Sequence, residues 1–395
     1  MAEPETVRAE PDGPAHTAPP TADAQPAARA QHAEHAADAQ QTAQAQRPAA
    51  PHAEQFASQE RILGLVWGYM SSDIVDVAVR LGIPEQLADG AHTAGDVAAA
   101  AGTDPVATLR FLRAFAVLGL AEETRDGRFA LTPAGRRLRP DVPDSLHAFV
   151  RQGSGVFRRA WARLEHSVRT GEPGFDEEFG TDFFHHLAGQ PELAETFASS
   201  MREATRTLST ALAEAYDFSA HGRVVDVGGA DGTLLTTVLG AHPGVHGVVF
   251  DSPAGGRDAP ATVRKAGLAG RCRVETGDFF DAVPPGGDLY VLKSILHDWS
   301  DERSARILRS CRAAVPEHGR LLVVEVLLPE RATPDAHPLA FLSDLYVLVN
   351  MGGRERSARD LDALLTATGF RTTRVASPPA LAPFSLVEAV PVPDA

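Results

Sequence analysis

An open α/β sheet, largely parallel and preceded by a helical module, is the fold class this sequence predicts, on three observations. From Gly222 onward, short apolar runs alternate with loop-and-helix segments. Alternation of that kind builds parallel strands joined by crossover helices. The first of these runs, RVVDV, leads straight into a glycine-rich turn. Upstream of Gly222 the apolar spacing is helical, and a single hairpin interrupts it.

Taken in order, residues 1–53 are almost entirely Ala, Gln, Pro, His, Glu and Asp. Such a composition cannot offset the entropy of ordering, so a disordered tail is expected, its histidines solvated. Residues 54–145 come next. From Gln55 to Leu81 apolar residues recur at helical spacing, at Ile62, Leu63, Val66, Met70, Ile74, Val77 and Leu81. Thr93 can cap a short helix, AGDVAAAA, and Gly102-Thr103 makes the turn. A second helix follows with Pro105 in its first turn, where the missing N–H costs nothing. LAEETRDGRFALT then reads as two strands around Asp126-Gly127. Helix, turn, helix and hairpin make a winged helix. Arg110 and Arg113 on its second helix suit DNA, but acids and bases roughly cancel between Gly82 and Pro140. With no basic footprint, a dimerisation module is the better reading. Residues 146–220 read as helices with aromatics at Phe149, Phe157, Trp161, Phe175, Phe183, Phe184 and Phe197. They fit a plain core and the lid of a pocket for a flat aromatic ligand equally well. Residues 221–395 supply the α/β sheet, ending in two strands around a Pro-rich loop.

Bulk properties narrow the function. The chain has 395 residues, enough for two domains with cores of their own, and 44% are apolar. A formal charge of -15 argues against nucleic acid as a partner. Two cysteines, Cys272 and Cys311, make neither a disulfide framework nor a metal motif, and they suit a reducing cytoplasm. The acidic start, MAEPETVRAE, is not a secretory signal. No apolar run reaches membrane-spanning length, so no membrane partner is expected.

VVDVGGADGTLL places Gly228, Gly229 and Gly232 directly after a strand. Glycines there allow a tight turn and close approach of backbone to a ligand, but dinucleotide and S-adenosylmethionine enzymes share the device. Three acids discriminate between them. Asp226 stands two residues before the first glycine, where it would repel a pyrophosphate and suit an ammonium. Asp251 ends the second strand and can take both hydroxyls of a ribose. Asp278 ends the third, able to accept from an adenine amino group while Phe279 packs on the ring. Any one of them could be a helix cap. Together they favour a cationic, adenosine-bearing cofactor over a nicotinamide dinucleotide.

The motifs VVDVGGADG, VVFD, GDFF, LKSILHDWSDE, LLVVEVLLPE and NMGGRERS, in that order, resemble the small-molecule O-methyltransferases that use S-adenosyl-L-methionine, of bacterial natural-product and plant phenolic type. The similarity spans roughly Gln55 to Val392, and HDWSDE and GGRERS are its specific parts. It implies a class I methyltransferase sheet, Rossmann-like with an antiparallel last strand, behind a winged-helix domain that makes a homodimer and does not bind DNA. It implies His297 as general base, with Glu325 and Glu355 orienting it. Lys293, Ser294, Asp231 and the Asp278–Phe279 region would touch the cofactor, alongside Asp226, the three loop glycines and Asp251. Asp344, Asn350 and Met351 would line the acceptor pocket, with Trp161, Met201 and Asp298. The family works without metal, and the close sequence spacing of His297, Asp298 and Asp301 also speaks against a metal site. The long N-terminal tail departs from the family, as does Phe279 where methionine is common.

The chemistry accounts for a histidine at this place. A phenol, pKa ~10, is mostly protonated at neutral pH. An imidazole of ordinary pKa ~6.5 can take its proton as the oxygen attacks the sulfonium methyl. General-base help of this kind is typically worth ~10²–10⁴-fold. The expected activity is therefore methylation of an aromatic hydroxyl in a phenol, hydroxyquinone or polycyclic secondary metabolite. Its rivals are hydroxylation or decarboxylation on the same scaffold, a winged-helix regulator, and a dehydrogenase. The presence of all three residues, His297, Glu325 and Glu355, speaks against the first.

Overall fold

A computed structural model of the chain describes residues 51–334 and 336–393. The expected tail, up to residue 50, lies outside the described residues. The chain divides into two compact units between Gly68 and Tyr69.

Helix α1, Pro51–Arg80, starts a few residues earlier than the apolar periodicity suggested. By length and composition its stretch Phe56–Arg80 is apolar enough to cross a membrane, and only 11% of its most apolar window is buried. This corrects the expectation that no apolar run reaches membrane-spanning length; Asp73 and Asp76 interrupt the stretch and mask its length in the sequence. Ile62, Leu65, Val66 and Trp67 are all exposed on it.

Strand β1, His92–Thr93, leads into α2, Ala94–Ala101. The Thr93 hydroxyl accepts from the Asp96 N–H, and the Asp96 carboxylate accepts from the Thr93 N–H, so two orphan donors are satisfied reciprocally. Helix α3, Pro105–Val117, has Asp104 as its cap. A hairpin of β2, Ala121–Glu123, and β3, Arg128–Leu131, follows, and β1 joins it to give the order β1-β3-β2. Leu112, Phe115 and Phe129 are fully buried against Ala78, Val79 and Ile83. The helix–turn–helix–hairpin order matches the expectation.

Short helices occupy 147–188, the first being α4, His147–Ser154, and a long amphipathic helix, α5, Pro191–Ala215, follows. The aromatics of this stretch pack on one another. Phe183 lies 4.9 Å from Phe157 and 5.1 Å from Phe197, ring centre to ring centre.

The sheet comprises β4 Arg223–Val227, β5 His246–Asp251, β6 Cys272–Thr276, β7 Leu289–Lys293, β8 Arg320–Leu328, β9 Arg356–Ser357, β10 Phe370–Ala376 and β11 Phe384–Pro391. Its order is β10-β11-β8-β7-β4-β5-β6, with β9 beside β8. β4, β5, β6, β7 and β8 are parallel, and β11 runs antiparallel between β8 and β10. That is the class I arrangement the sequence resemblance implied. Helices α6 Thr233–Ala241, α7 Asp301–Ala314, α8 Pro338–Met351 and α9 Ala358–Ala367, with a shorter helix at Ala259–Lys265 between β5 and β6, lie in the connections. Central strands read as near-continuous Val and Leu because both faces are covered. From β4 the chain moves one way to β5 and later the other way to β7. Ligands in such sheets bind outside the carboxyl ends of the strands at that switch.

Candidate active site

At the end of β4, Asp226 is buried and its Oδ2 has no hydrogen-bond partner. Burial pushes its pKa up to about 7, although nearby Lys293 works in the opposite direction. The glycine turn wraps directly over it. A Cβ on Gly228, which has φ +75°, would lie 2.3 Å from the Ile295 side chain, so only glycine fits. Asp251 fixes the turn from β5, its Oδ2 accepting from the Ala230 N–H at 2.9 Å. Asp231 pairs with Arg202 of α5 at 2.8 Å and accepts from the Thr233 N–H and hydroxyl. Asp278 is exposed at the end of β6 and accepts from the Phe280 N–H. Lys293, at the end of β7, donates to the Thr205 hydroxyl of α5 at 3.0 Å, and burial pulls its pKa down. Ser294 follows with φ +54°, a strained conformation for a non-glycine residue.

That kink starts the short 3-10 turn Leu296–Asp298, which carries His297. Three residues from two sequence segments hold the turn in place. Glu325, from the middle of β8, accepts from the N–H groups of Ile295 and Leu296 at 3.0 and 2.9 Å. Arg356 of β9 donates to the carbonyls of Leu296 and Trp299 at 2.8 and 2.9 Å. The Arg354 N–H donates to the His297 carbonyl, and a Cβ on Gly353 would lie 2.0 Å from that oxygen. The glycines of GGRERS therefore let one backbone lie flat on another.

His297 Nδ1 lies 3.1 Å from Glu355 Oε1 and 3.8 Å from Glu325 Oε2. Glu355 Oε1 also accepts from the Ser343 hydroxyl at 2.7 Å, and the Glu355 N–H donates to Asp344. With Nδ1–H directed at Glu355, Nε2 is the nitrogen left to act; Asp298 Oδ1 stands 3.4 Å from it. Burial opposes a charged imidazole here, but the carboxylates of Glu325, Asp298 and Glu355 outweigh it and push the His297 pKa up to about 10. Burial likewise raises the carboxyl pKa values of Glu325 and Asp298. Glu325 Oε2 and Glu355 Oε2 are buried without partners. The ligand atoms of His297, Glu325 and Glu355 all lie within 4.8 Å of one another, a spacing that could also hold a metal ion.

On the acceptor side, Asn350 is fully buried on α8, with its Nδ2 donating to the Tyr346 carbonyl and its Oδ1 unpartnered. Met351 and Trp161 pack against the cluster of Phe157, Phe175 and Phe183. Met201 is partly buried on α5. Trp299 stacks on Phe184 at 5.2 Å and has Arg303 4.0 Å from its ring centre, so it packs within an aromatic group. Two residues that sequence reading overlooked, Ser343 and Arg356, hold the histidine's partner and its loop. Arg356 stands inside GGRERS, where only its burial distinguishes it from Arg354.

Residues 161–371 match a family model described as an O-methyltransferase domain. The chain belongs to that O-methyltransferase family. Residues 63–141 of this methyltransferase match the O-methyltransferase dimerisation domain. The O-demethylpuromycin-O-methyltransferase of Streptomyces alboniger is 70% identical over 345 residues, covering 87% of this chain and 92% of its own. The crystal structure of LaPhzM is similar with a TM-score of 0.79 at 38% identity, over 85% of this chain and 99% of that one. NcsB1, an O-methyltransferase from neocarzinostatin biosynthesis solved with S-adenosylmethionine and 2-hydroxy-5-methyl naphthoic acid, gives a TM-score of 0.69 at 32% identity, over 82% and 96%.

Proposed function

We propose that this O-methyltransferase methylates the hydroxyl of O-demethylpuromycin or a close analogue, with His297 as general base. The observation that carries the acceptor is the 70% identity to the enzyme named for that substrate. The observation that supports the base is the imidazole held between Glu325 and Glu355, with Nε2 turned away from both.

The cofactor is S-adenosylmethionine, which supplies an electrophilic methyl group and leaves as a neutral thioether. The unpartnered Oδ2 of Asp226 fits its ammonium, beneath Gly228 and Gly229. Asp251 would take the ribose hydroxyls, and Asp278 and Phe279 the adenine. Asp231, Gly232, Lys293 and Ser294 would line the same cofactor site. Asn350 and Met351 would meet the acceptor, as would Trp161 and Met201, in a lid formed by residues 146–220.

In the free enzyme His297 holds a proton at neutral pH, because three carboxylates surround it. A sulfonium charge near that cluster favours the neutral imidazole. Once neutral, the imidazole takes the acceptor proton as the oxygen attacks the methyl. Glu355 keeps Nδ1–H in place and stabilises the imidazolium that forms, and Glu325 anchors the turn. Asp298 gives way at Nε2 to the acceptor hydroxyl.

The dimerisation-domain match, with the exposed apolar face of α1, supports a homodimer. A biosynthetic role without a partner nucleic acid, in the cytoplasm, completes the reading.

The test is to incubate the purified chain with S-adenosylmethionine and O-demethylpuromycin and read the product mass. One added methyl with stoichiometric S-adenosylhomocysteine is expected. Methylation of other phenols but not this acceptor would overturn the substrate, and no turnover with any hydroxyl would overturn the whole reading.

A further inference from the structure

Helix α5 has two different faces. Phe197, Met201 and Thr205 recur every four residues on the side where Thr205 meets Lys293. Ser199 and Arg206 lie on the other side, two and nine residues on from Phe197, and Arg202 stands on the border between the faces, about 60° from Thr205. There they line a cavity of about 330 Å³ with residues of α4 and the segment before it. That volume suits a small ligand.

The cavity is cationic in a chain whose net charge is -15. Arg151, Arg202 and Arg206 all line it. Its two acids are already committed. Glu203 accepts from the Ser145 hydroxyl and from the N–H groups of Ala148 and Phe149. Glu195 pairs with Arg257 and accepts from Ser199. Arg202 is paired with Asp231 and Asp258, but the other two arginines are less engaged. Arg206 donates one N–H to the Pro143 carbonyl, and neither it nor Arg151 pairs with a carboxylate among the described residues. Guanidinium groups bind oxyanions through paired, planar hydrogen bonds.

We propose that this cavity is a second ligand site that takes an oxyanion, a phosphate or a carboxylate group. It is also wired to the glycine turn. Arg202 reaches from the cavity to Asp231, so an anion that recruits Arg202 draws it from the turn. Occupancy should then weaken cofactor affinity severalfold. That coupling, unlike the site, rests on reading the turn as the cofactor cradle.

The experiment is calorimetric titration of the full chain with inorganic phosphate, and separately with acetate, against chloride at matched ionic strength. Saturable binding of at least one of the two is expected in the wild type and in His297→Ala. Binding should weaken at least tenfold in Arg151→Gln/Arg206→Gln, and less in Arg151→Lys, which keeps the charge but loses the fork. Equal thermal melting of the variants establishes that they fold. No saturable heat from either anion, or equal affinity in the double variant, overturns the site. Strict competition with S-adenosylhomocysteine also overturns it, because the cavity would then be part of the cofactor's own site. Methyl transfer measured on the same preparations separates the two readings: failed transfer with intact anion binding sinks the functional assignment alone.

Discussion

At the carboxyl end of β4, Asp226 keeps one carboxylate oxygen buried without a hydrogen-bond partner; Glu325 within β8 and Glu355 just before β9 do the same around His297. The first acid lacks a fixed cation at hydrogen-bonding distance, and burial lifts its pKa to about 7. The second pair has an imidazole 3.1 Å away and lifts the imidazole instead, to about 10. A buried charge must be paired or lose its charge. Asp226 is built to be completed by a cation that arrives, whereas the glutamates carry their own. One site therefore reads as binding and the other as proton transfer.

The comparison breaks most visibly at the proton-transfer site. His297→Ala should lower kcat by ~10²–10⁴-fold while leaving S-adenosylmethionine affinity within a few fold. Equal loss of binding and turnover would mean that His297 belongs to the cradle and not to the chemistry. The reciprocal variant, Asp226→Asn, should weaken S-adenosylmethionine by ~10–100-fold, the range for a hydrogen bond to a charged group of about 1.5–3 kcal/mol. In the wild type that affinity should also rise with pH through about 7, since only the ionised carboxylate attracts an ammonium. Calorimetry across this range checks both, and a flat profile would place the ammonium elsewhere.

How much of this was legible depended on whether a residue's role lies in its own chemistry or in its packing. His297, Glu325 and Glu355 follow one another through three recognisable motifs, and the fold brings Glu355 within hydrogen-bonding range of the imidazole and Glu325 to 3.8 Å from it. The parallel strands were legible because both-face burial demands unbroken apolar runs. Arg356 and Ser343 were not, because each acts through a contact set by tertiary approach, the first to backbone carbonyls and the second to Glu355. Asp344 has a contact that its sequence position does not show. Read as an acceptor-pocket residue, it spends one oxygen on the Glu355 N–H. Asp231 likewise is bound to Arg202, 29 residues away in sequence, which no local pattern could show. The helical periodicity of α1 was legible, but two aspartates hid that its apolar stretch reaches membrane-spanning length.

The remaining tests sharpen the proton-transfer half. In the free enzyme kcat/KM should climb with pH toward about 10, because only neutral His297 can accept a proton. Asp298→Asn removes one of the carboxylates that hold that proton, so the rising limb should move to lower pH. The sign for stability is opposite. A raised folded-state pKa adds stability below the unfolded value of ~6.5 and loses it as pH rises through about 10. A variant limb that stays in place would mean that Asp298 does not sense the catalytic proton.

The smallest expected effect is none at all, and it decides between two uses of one geometry. The atoms of His297, Glu325 and Glu355 lie within 4.8 Å of one another and would suit a metal ion as well as a shared proton. Yet their oxygens are already employed as supports. Glu325 Oε1 takes two backbone N–H groups, and Glu355 Oε1 takes both Ser343 and His297. A metal on the outer oxygens would fix the carboxylates against the imidazole and hold Nδ1 as a ligand, leaving no Nδ1–H to orient. Treatment with a chelator, followed by dialysis, should therefore leave methyl transfer unchanged within error. Activity that falls on chelation and returns with a divalent ion would replace the orienting hydrogen bond by a metal bond, and the alkaline rise in kcat/KM should then disappear with it.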